Sequence, residues 1–258
     1  MKPSRIPLVT TVMVLGFFYL PIVGLVVKSF NNSRFSPEWN GFTWKWYQRL
    51  FERDDILLAL LNSLKVAIAA STISMALGTA AAFAIHRYQS RLQETHRMMV
   101  YVPLVLPDIL MGMSLLLLFI TAGLSLSLIT ITIAHITFCL SYVTLVVLAR
   151  LQDFDKNLVE AARDLGATGF QAFTKVTLPI LLPGILAGGL LAFTLSIDDY
   201  VITFFVKGPG ADTLPTLVYS MIKKSRELPV INALSTLMLL LTFIAVTLSQ
   251  RLTRQTTS

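Results

Sequence analysis

Charge is scarce in this chain. Asp, Glu, Lys and Arg make up 14% of its 258 residues, where a soluble domain carries about 25%. Hydrophobic residues make up 55%, more apolar surface than a soluble core of this size can hide, so the composition points to an integral membrane protein. Cysteine occurs once, at Cys139, which excludes a disulfide framework or a cysteine metal site within one chain. Of the three histidines, His86 and His96 lie near a loop and His135 within an apolar run; all are read as surface or packing residues, not metal ligands. No H-E-x-x-H, G-x-S-x-G or G-x-x-x-x-G-K-[ST] pattern occurs, so the sequence offers no zinc-protease, serine-hydrolase or P-loop nucleotide site. No repeat relates the two halves, as would be usual in a secondary transporter working alone. The formal net charge of +7 suits anionic lipid headgroups in so apolar a chain, and nucleic acid is not implied.

What the chain does have is long uncharged runs. Residues 6–27 carry no charge and are too long for a signal-peptide core, so they are expected to form a retained first helix. Further spans are predicted at about 59–85, 98–121, 124–149, 180–206 and 228–250, each near the 20 residues a crossing needs. Ala122-Gly123 divides a 41-residue run, 109–149, whose one titratable side chain is His135. The expectation is therefore an all-α membrane protein, a single domain over 1–258 with six transmembrane helices and both ends on one side. With the N-terminus inside, eleven basic side chains (Lys2, Arg5, Arg87, Arg91, Arg97, Arg150, Lys156, Arg163, Lys175, Arg251, Arg254) face inward. Nine face outward (Lys28, Arg34, Lys45, Arg49, Arg53, Lys207, Lys223, Lys224, Arg226). Short loops vote most reliably, and the three arginines after the second span favour an inside N-terminus. In "FTWKWYQRLFER", Trp44, Tyr47 and Phe51 recur at helical spacing, with Trp46 and Leu50 beside them; this is either an interfacial helix or an ordinary loop helix. A further short helix is expected near 217–223, in an outer loop with turn signals at Gly208-Pro209-Gly210.

Between the fourth and fifth spans stands a polar segment, 155–176, that is too polar to span and too patterned for a linker. Asn157 and Glu160 have the form of a capping box. Glu160, Arg163 and Asp164 share a face, Gly166 can end the helix, and Thr168 can cap a second short one bearing Phe170 and Phe173. The pair either packs on its own bundle or serves as a handle for the groove of a soluble partner. Gly184, Gly188 and Gly189 then form a small-residue face, suited to close packing within the bundle or against a second subunit.

"EAARDLGATGFQAFTKVTLP" resembles the signature of permease subunits of binding-protein-dependent ABC importers: E-A-A, three residues, Gly, nine residues, an aliphatic residue, any residue, Leu-Pro. Glu160, Ala161, Ala162, Gly166, Val176, Leu178 and Pro179 fall in place, with valine where isoleucine is commoner. The resemblance implies that this segment is a cytoplasmic coupling helix pair. Glu160, Ala161, Ala162 and Asp164 would make the contact with an ATPase dimer, and Gly166 the turn. "VPLVLPDILMGMSLLLLF", "SIDDYVITFFVKGPGADTLP" and "PVINALST" are similar to the C-type permeases of the family's spermidine/putrescine branch. The same resemblance implies a second homologous permease completing a heterodimer and a periplasmic substrate-binding protein. It also implies ATP and Mg held by the ATPase and not by this chain, and a bacterial inner-membrane location with both termini cytoplasmic. ATP binding would move the helix pair and switch the pore from inward to outward facing.

Carboxylates in a span are costly and usually face a pathway or a polar partner. Counted along straight helices, Asp108 is expected about 15 Å, and Asp198 and Asp199 about 27 Å, from the cytoplasmic side. Asp198 and Asp199 cannot both point one way from a regular helix. A polyamine could pass from one depth to the next, with Tyr101 and Tyr200 adding cation–π contacts. Tyr101, seven residues before Asp108, is expected on the same helical face, and Pro103 and Pro107 are expected to kink that helix.

Overall fold

A computed structural model describes residues 6–33, 38–88, 91–155, 157–224 and 228–255. Lys2, Arg5, Arg34, Lys156 and Arg226, which enter the charge comparison, lie outside the described residues. In chain order the helices are α1 Ile6–Ser29, α2 Lys45–Phe51, α3 Asp54–Arg87, α4 Gln93–Val105, α5 Asp108–Thr121 and α6 Leu128–Gln152. There follow α7 Asn157–Asp164, α8 Gly169–Ala172, α9 Leu178–Asp198, α10 Val201–Val206, α11 Leu214–Lys224 and α12 Leu228–Gln255. A π-helical turn, Phe173–Thr177, leads from α8 into α9. Among the described residues there is no strand beyond one isolated bridge, Asn31 to Phe42. Among the described residues four helical stretches are long and apolar enough to cross a membrane: Pro7–Ser29, Asp54–Arg87, Leu128–Gln152 and Gly169–Asp198. The α4–α5 pair, bent by 110°, makes a fifth if its arms form one crossing.

The chain falls into two compact units, residues 1–57 with 217–258, and residues 58–216. In the first, α1 keeps apolar side chains exposed along its length, Phe17, Phe18 and Leu20 among them, as a helix wrapped in hydrocarbon would. It packs along α12, and α2 packs on α12 as well. The buried face of α2 is Trp46, Tyr47 and Leu50, while Trp44 and Phe51 are exposed. The expected helix is present, and its buried face joins Tyr47 to the neighbouring Trp46 and Leu50. Trp46 Nε1 donates to the Asn31 carbonyl at 2.7 Å, and the Tyr47 hydroxyl meets Ser29 Oγ at 2.7 Å. An indole or phenol that is buried needs such a partner.

The core of the second unit lies where α6 meets α9, around Ile131, Phe138, Cys139, Val143, Leu181, Ile185 and Ala192. Lipid tails are as apolar as these side chains, so close approach has to supply the cohesion. The small-residue face provides it within the chain: Gly188 lies against Val143, Gly184 against the Arg150 stem and Gly189 against Met75.

After α10 the chain is tied down link by link. Lys207 pairs with Asp212. Asn62 Nδ2 donates to the Asp212 carbonyl at 3.0 Å, and Ser63 Oγ accepts the Leu214 N–H at 2.8 Å. The Thr130 hydroxyl donates to the Val206 carbonyl at 2.8 Å. Gly208 passes so close to Leu126 that a methyl group there would overlap the Leu126 carbonyl oxygen, a backbone atom that cannot rotate away. Gly208→Ala is expected to destabilise this unit by about 1–3 kcal/mol, as overpacking does, seen as a lower unfolding midpoint of the detergent-solubilised protein.

Candidate functional site

Two places carry the chemistry, both in residues 58–216. The first is built on two helix breaks. Leu106 precedes Pro107, and the proline ring disfavours the helical conformation for the residue before it. Leu106 accordingly sits extended at φ −67°, ψ 133°, and α5 restarts at Asp108. A carboxylate in a first helical turn is favoured by the helix dipole. Pro103 lies inside α4 without ending it. The kink expected in the 98–121 span is present as a 110° bend between two arms.

The second break follows Asp198, the last residue of α9. Asp199 is extended at φ −66°, ψ 125°, and the expected 180–206 helix stops there. The Asp199 carboxylate caps the restart. Its Oδ1 accepts the Ile202 N–H at 3.3 Å. Its Oδ2 accepts the Thr203 N–H and the Thr203 hydroxyl, both at 2.8 Å, and lies 3.3 Å from His135 Nε2. His135 is 1% exposed and the Asp199 side chain 10%. The other face of the imidazole, Nδ1, meets Ser196 Oγ at 2.7 Å.

These breaks bring Asp108, Asp198, Asp199 and Tyr200 to one cavity of about 370 Å³, walled also by Pro103, Phe138 and Tyr142. The expectation of carboxylates at two depths was based on straight helices, and both helices are broken. Tyr101 is not in this cavity. It lines a different one with Glu94 and Arg97, because the 110° bend falls between Tyr101 and Asp108. The two neighbouring aspartates differ in kind: Asp199 is committed to the fold, while Asp198 and Asp108 are exposed. Neither of the latter has a hydrogen bond or ion pair through its carboxylate among the described residues. Two carboxylates without a hydrogen-bond or ion-pair partner among the described residues thus stand at one cavity beside the Phe138 and Tyr142 rings. Among the described residues no group of three His, Cys, Asp or Glu could hold a metal. Sequence reasoning missed Tyr142 and the network at His135. The signal was there: His135, Phe138 and Tyr142 fall at i, i+3 and i+7, one face of α6.

The second place is the segment between α6 and α9. The turn after α7 is closed by two backbone bonds, Gly166 N–H to the Arg163 carbonyl at 2.8 Å and Ala167 N–H to the Ala162 carbonyl at 3.0 Å. This is the pattern of a helix ended by a left-handed residue, and Gly166 has φ +86°. Thr168 and Gln171 form a reciprocal capping box at the start of α8. Asn157 is not the cap of α7; it lies in the first turn, where its N–H is taken by Asp155 Oδ1 at 2.9 Å. No residue of α7 is buried. Glu160, Ala161 and Asp164 are exposed and Ala162 half-buried. Leu165 at 90% and Phe170 at 77% exposure flank the turn. Beneath lies a cavity of about 420 Å³ that Phe83, Arg87, Glu160 and Arg163 help to line, and Phe173 packs on Phe83 at 4.8 Å between ring centroids.

Residues 74–257 match the family described as the binding-protein-dependent transport system inner membrane component. The chain is 40% identical over 243 residues to the spermidine/putrescine transport system permease protein PotC of Haemophilus influenzae, covering 94% of each. It is 43% identical over 244 residues to the putrescine transport system permease protein PotI of Escherichia coli strain K12, covering 91% of this chain and 86% of that one. Its fold is similar to a chain of a bacterial ABC transporter that imports alginate, with a TM-score of 0.78 at 17% identity, covering 98% and 95% of the two chains.

Proposed function

The chain belongs to the family of binding-protein-dependent transport system inner membrane components, and on that premise we propose that it is a permease subunit of an ATP-driven polyamine importer, forming half of the pathway for spermidine or putrescine. The observation that carries the substrate class is the pair of unpaired carboxylates, Asp108 and Asp198, at one aromatic-walled cavity. The cavity is a single station at which one cationic chain meets both carboxylates. Cations of other small solutes share this chemistry, and the polyamine reading rests on the relatives named above.

In this reading six crossings, α1, α3, the bent α4–α5 pair, α6, α9 and α12, leave both termini in the cytoplasm of a bacterial cell. A second homologous permease completes the pore against this one. The α7–α8 pair lies on the cytoplasmic face, where Glu160, Ala161, Ala162 and Asp164 enter a groove on an ATPase dimer. ATP and Mg²⁺ are bound by that dimer, and this chain performs no covalent chemistry. A periplasmic binding protein delivers the cation from the other side. Exposed Leu165 and Phe170 support a docked partner here, since apolar side chains on a polar turn are otherwise costly to leave in water.

Proteoliposomes holding the complete transporter test this. Labelled spermidine is expected to enter only with ATP inside the vesicle and binding protein outside. Uptake driven by a proton or sodium gradient without ATP would overturn the reading in favour of a transporter working alone.

A further inference from the structure

The polar network at His135 is not explained by the pathway alone, because His135 does not line the cavity. It sits one layer behind, hydrogen-bonded through both ring nitrogens. The Thr203 hydroxyl donates to Asp199 Oδ2, so towards His135 Nε2, 2.9 Å away, it is an acceptor. Nε2 therefore carries a proton, and Nδ1 meets the Ser196 hydroxyl at 2.7 Å. The relay links Ser196, His135, Thr203 and Asp199, and it stitches α6 to the last turn of α9 and the first turn of α10.

Three features make this more than core filling. Asp199 is the residue whose extended backbone stops α9, so whatever holds its carboxylate also holds the break. Asp198 is the residue immediately before the break, and its direction is set by where the helix stops. Asp199 receives three hydrogen bonds and the His135 contact, which leaves Asp198 as the carboxylate of the two free to meet a cation. Resting on the pathway reading above, we propose that His135 is a positioning residue of the cation pathway: it holds the α9–α10 break through Asp199 and Thr203, and so aims Asp198 into the cavity it shares with Asp108. Bulk alone would not do this. The site needs a polar contact on the Ser196 side and a donor on the Thr203 side, which imidazole presents from one ring.

The test separates aim from assembly. In a Cys139→Ala background, Asp198→Cys is treated with the cationic thiol reagent 2-(trimethylammonium)ethyl methanethiosulfonate in the complete transporter, with and without His135→Ala. Position 198 is expected to react about tenfold more slowly when His135 is lost, the effect of removing one or two hydrogen bonds from the break. In the Asp198-containing protein, His135→Ala should lower uptake per assembled transporter by a similar factor, and His135→Gln, which keeps an acceptor and a donor, should restore most of it. A purely structural His135 would give fewer assembled transporters, each with unchanged reactivity at 198 and unchanged uptake; that result overturns the proposal. Should His135→Ala fail to assemble, Thr203→Val cuts the relay one link further on and is read by the same two rates. If Asp108→Asn and Asp198→Asn leave uptake intact, the pathway reading fails instead, and the reactivity at 198 still decides whether His135 sets that residue's direction.

Discussion

Asp108→Asn combined with Asp198→Asn is expected to reduce polyamine uptake by about a hundredfold or more, with the amount of assembled transporter unchanged. A hydrogen bond to a charged group contributes about 1.5–3 kcal/mol, and 1.36 kcal/mol is a factor of ten. Losing the charge from both carboxylates of one cavity therefore removes at least two decades. Stability is largely spared: neither carboxylate has a hydrogen-bond or ion-pair partner among the described residues, and the helix-dipole contribution lost at Asp108 is about 0.3–1 kcal/mol. Asp199→Asn should behave in the opposite sense. Its two oxygens accept the Ile202 and Thr203 N–H groups and the Thr203 hydroxyl, and an amide offers one oxygen where the carboxylate offers two. An orphaned buried donor costs about 1–3 kcal/mol, so Asp199→Asn lowers the yield of folded protein first. Uptake and yield measured together on the three variants separate the roles. Full uptake by the double variant would remove both carboxylates from contact with the cation.

That division between two adjacent aspartates shows where sequence reasoning stops. A regular helix forbids Asp198 and Asp199 from facing one way, which is sound geometry, but the helix is not regular. The partner that makes the break, His135, lies more than sixty residues earlier on α6. No local rule reaches that far. The α4–α5 bend was half legible. Pro103 and Pro107 both announced a kink, yet Pro103 is accommodated within α4 and the helix ends just before Pro107. The choice is made by packing: Gly112 of α5 lies directly against Ile202 and Phe205 of α10, a contact that a straight continuation of α4 would have to give up. The turn at Ala122-Gly123 and the Thr168 cap could be read in advance because a few consecutive residues settle them. Gly123 and Leu124 N–H groups close α5 onto the Ile120 and Phe119 carbonyls, and Thr168 needs only Gln171. On α2, periodicity found the helix, and the hydrogen bonds of Trp46 and Tyr47 decide which face is buried.

The turn after α7 leads to the second large effect. Gly166→Val is expected to lower uptake by about tenfold or more and to remove the ATPase from the purified complex, while Gly166→Asn retains most of both. At φ +86° an L-residue meets its own carbonyl, at a cost of about 1–2 kcal/mol, and a β-branched side chain fares worse. Asparagine tolerates this region. Nothing lies within 4 Å of a Cβ at Gly166, so the penalty is conformational and not a clash, and valine relieves it by unwinding the turn. Unwinding breaks the bonds to the Arg163 and Ala162 carbonyls and redirects Ala161, Ala162 and the exposed Leu165 together. Because α7 has no buried residue, the rest of the fold has little to lose by this and the protein should still accumulate in the membrane. A variant that accumulates normally but has lost its ATPase is what a docking element predicts. A segment that merely packed on its own bundle would lose stability and leave transport per molecule intact.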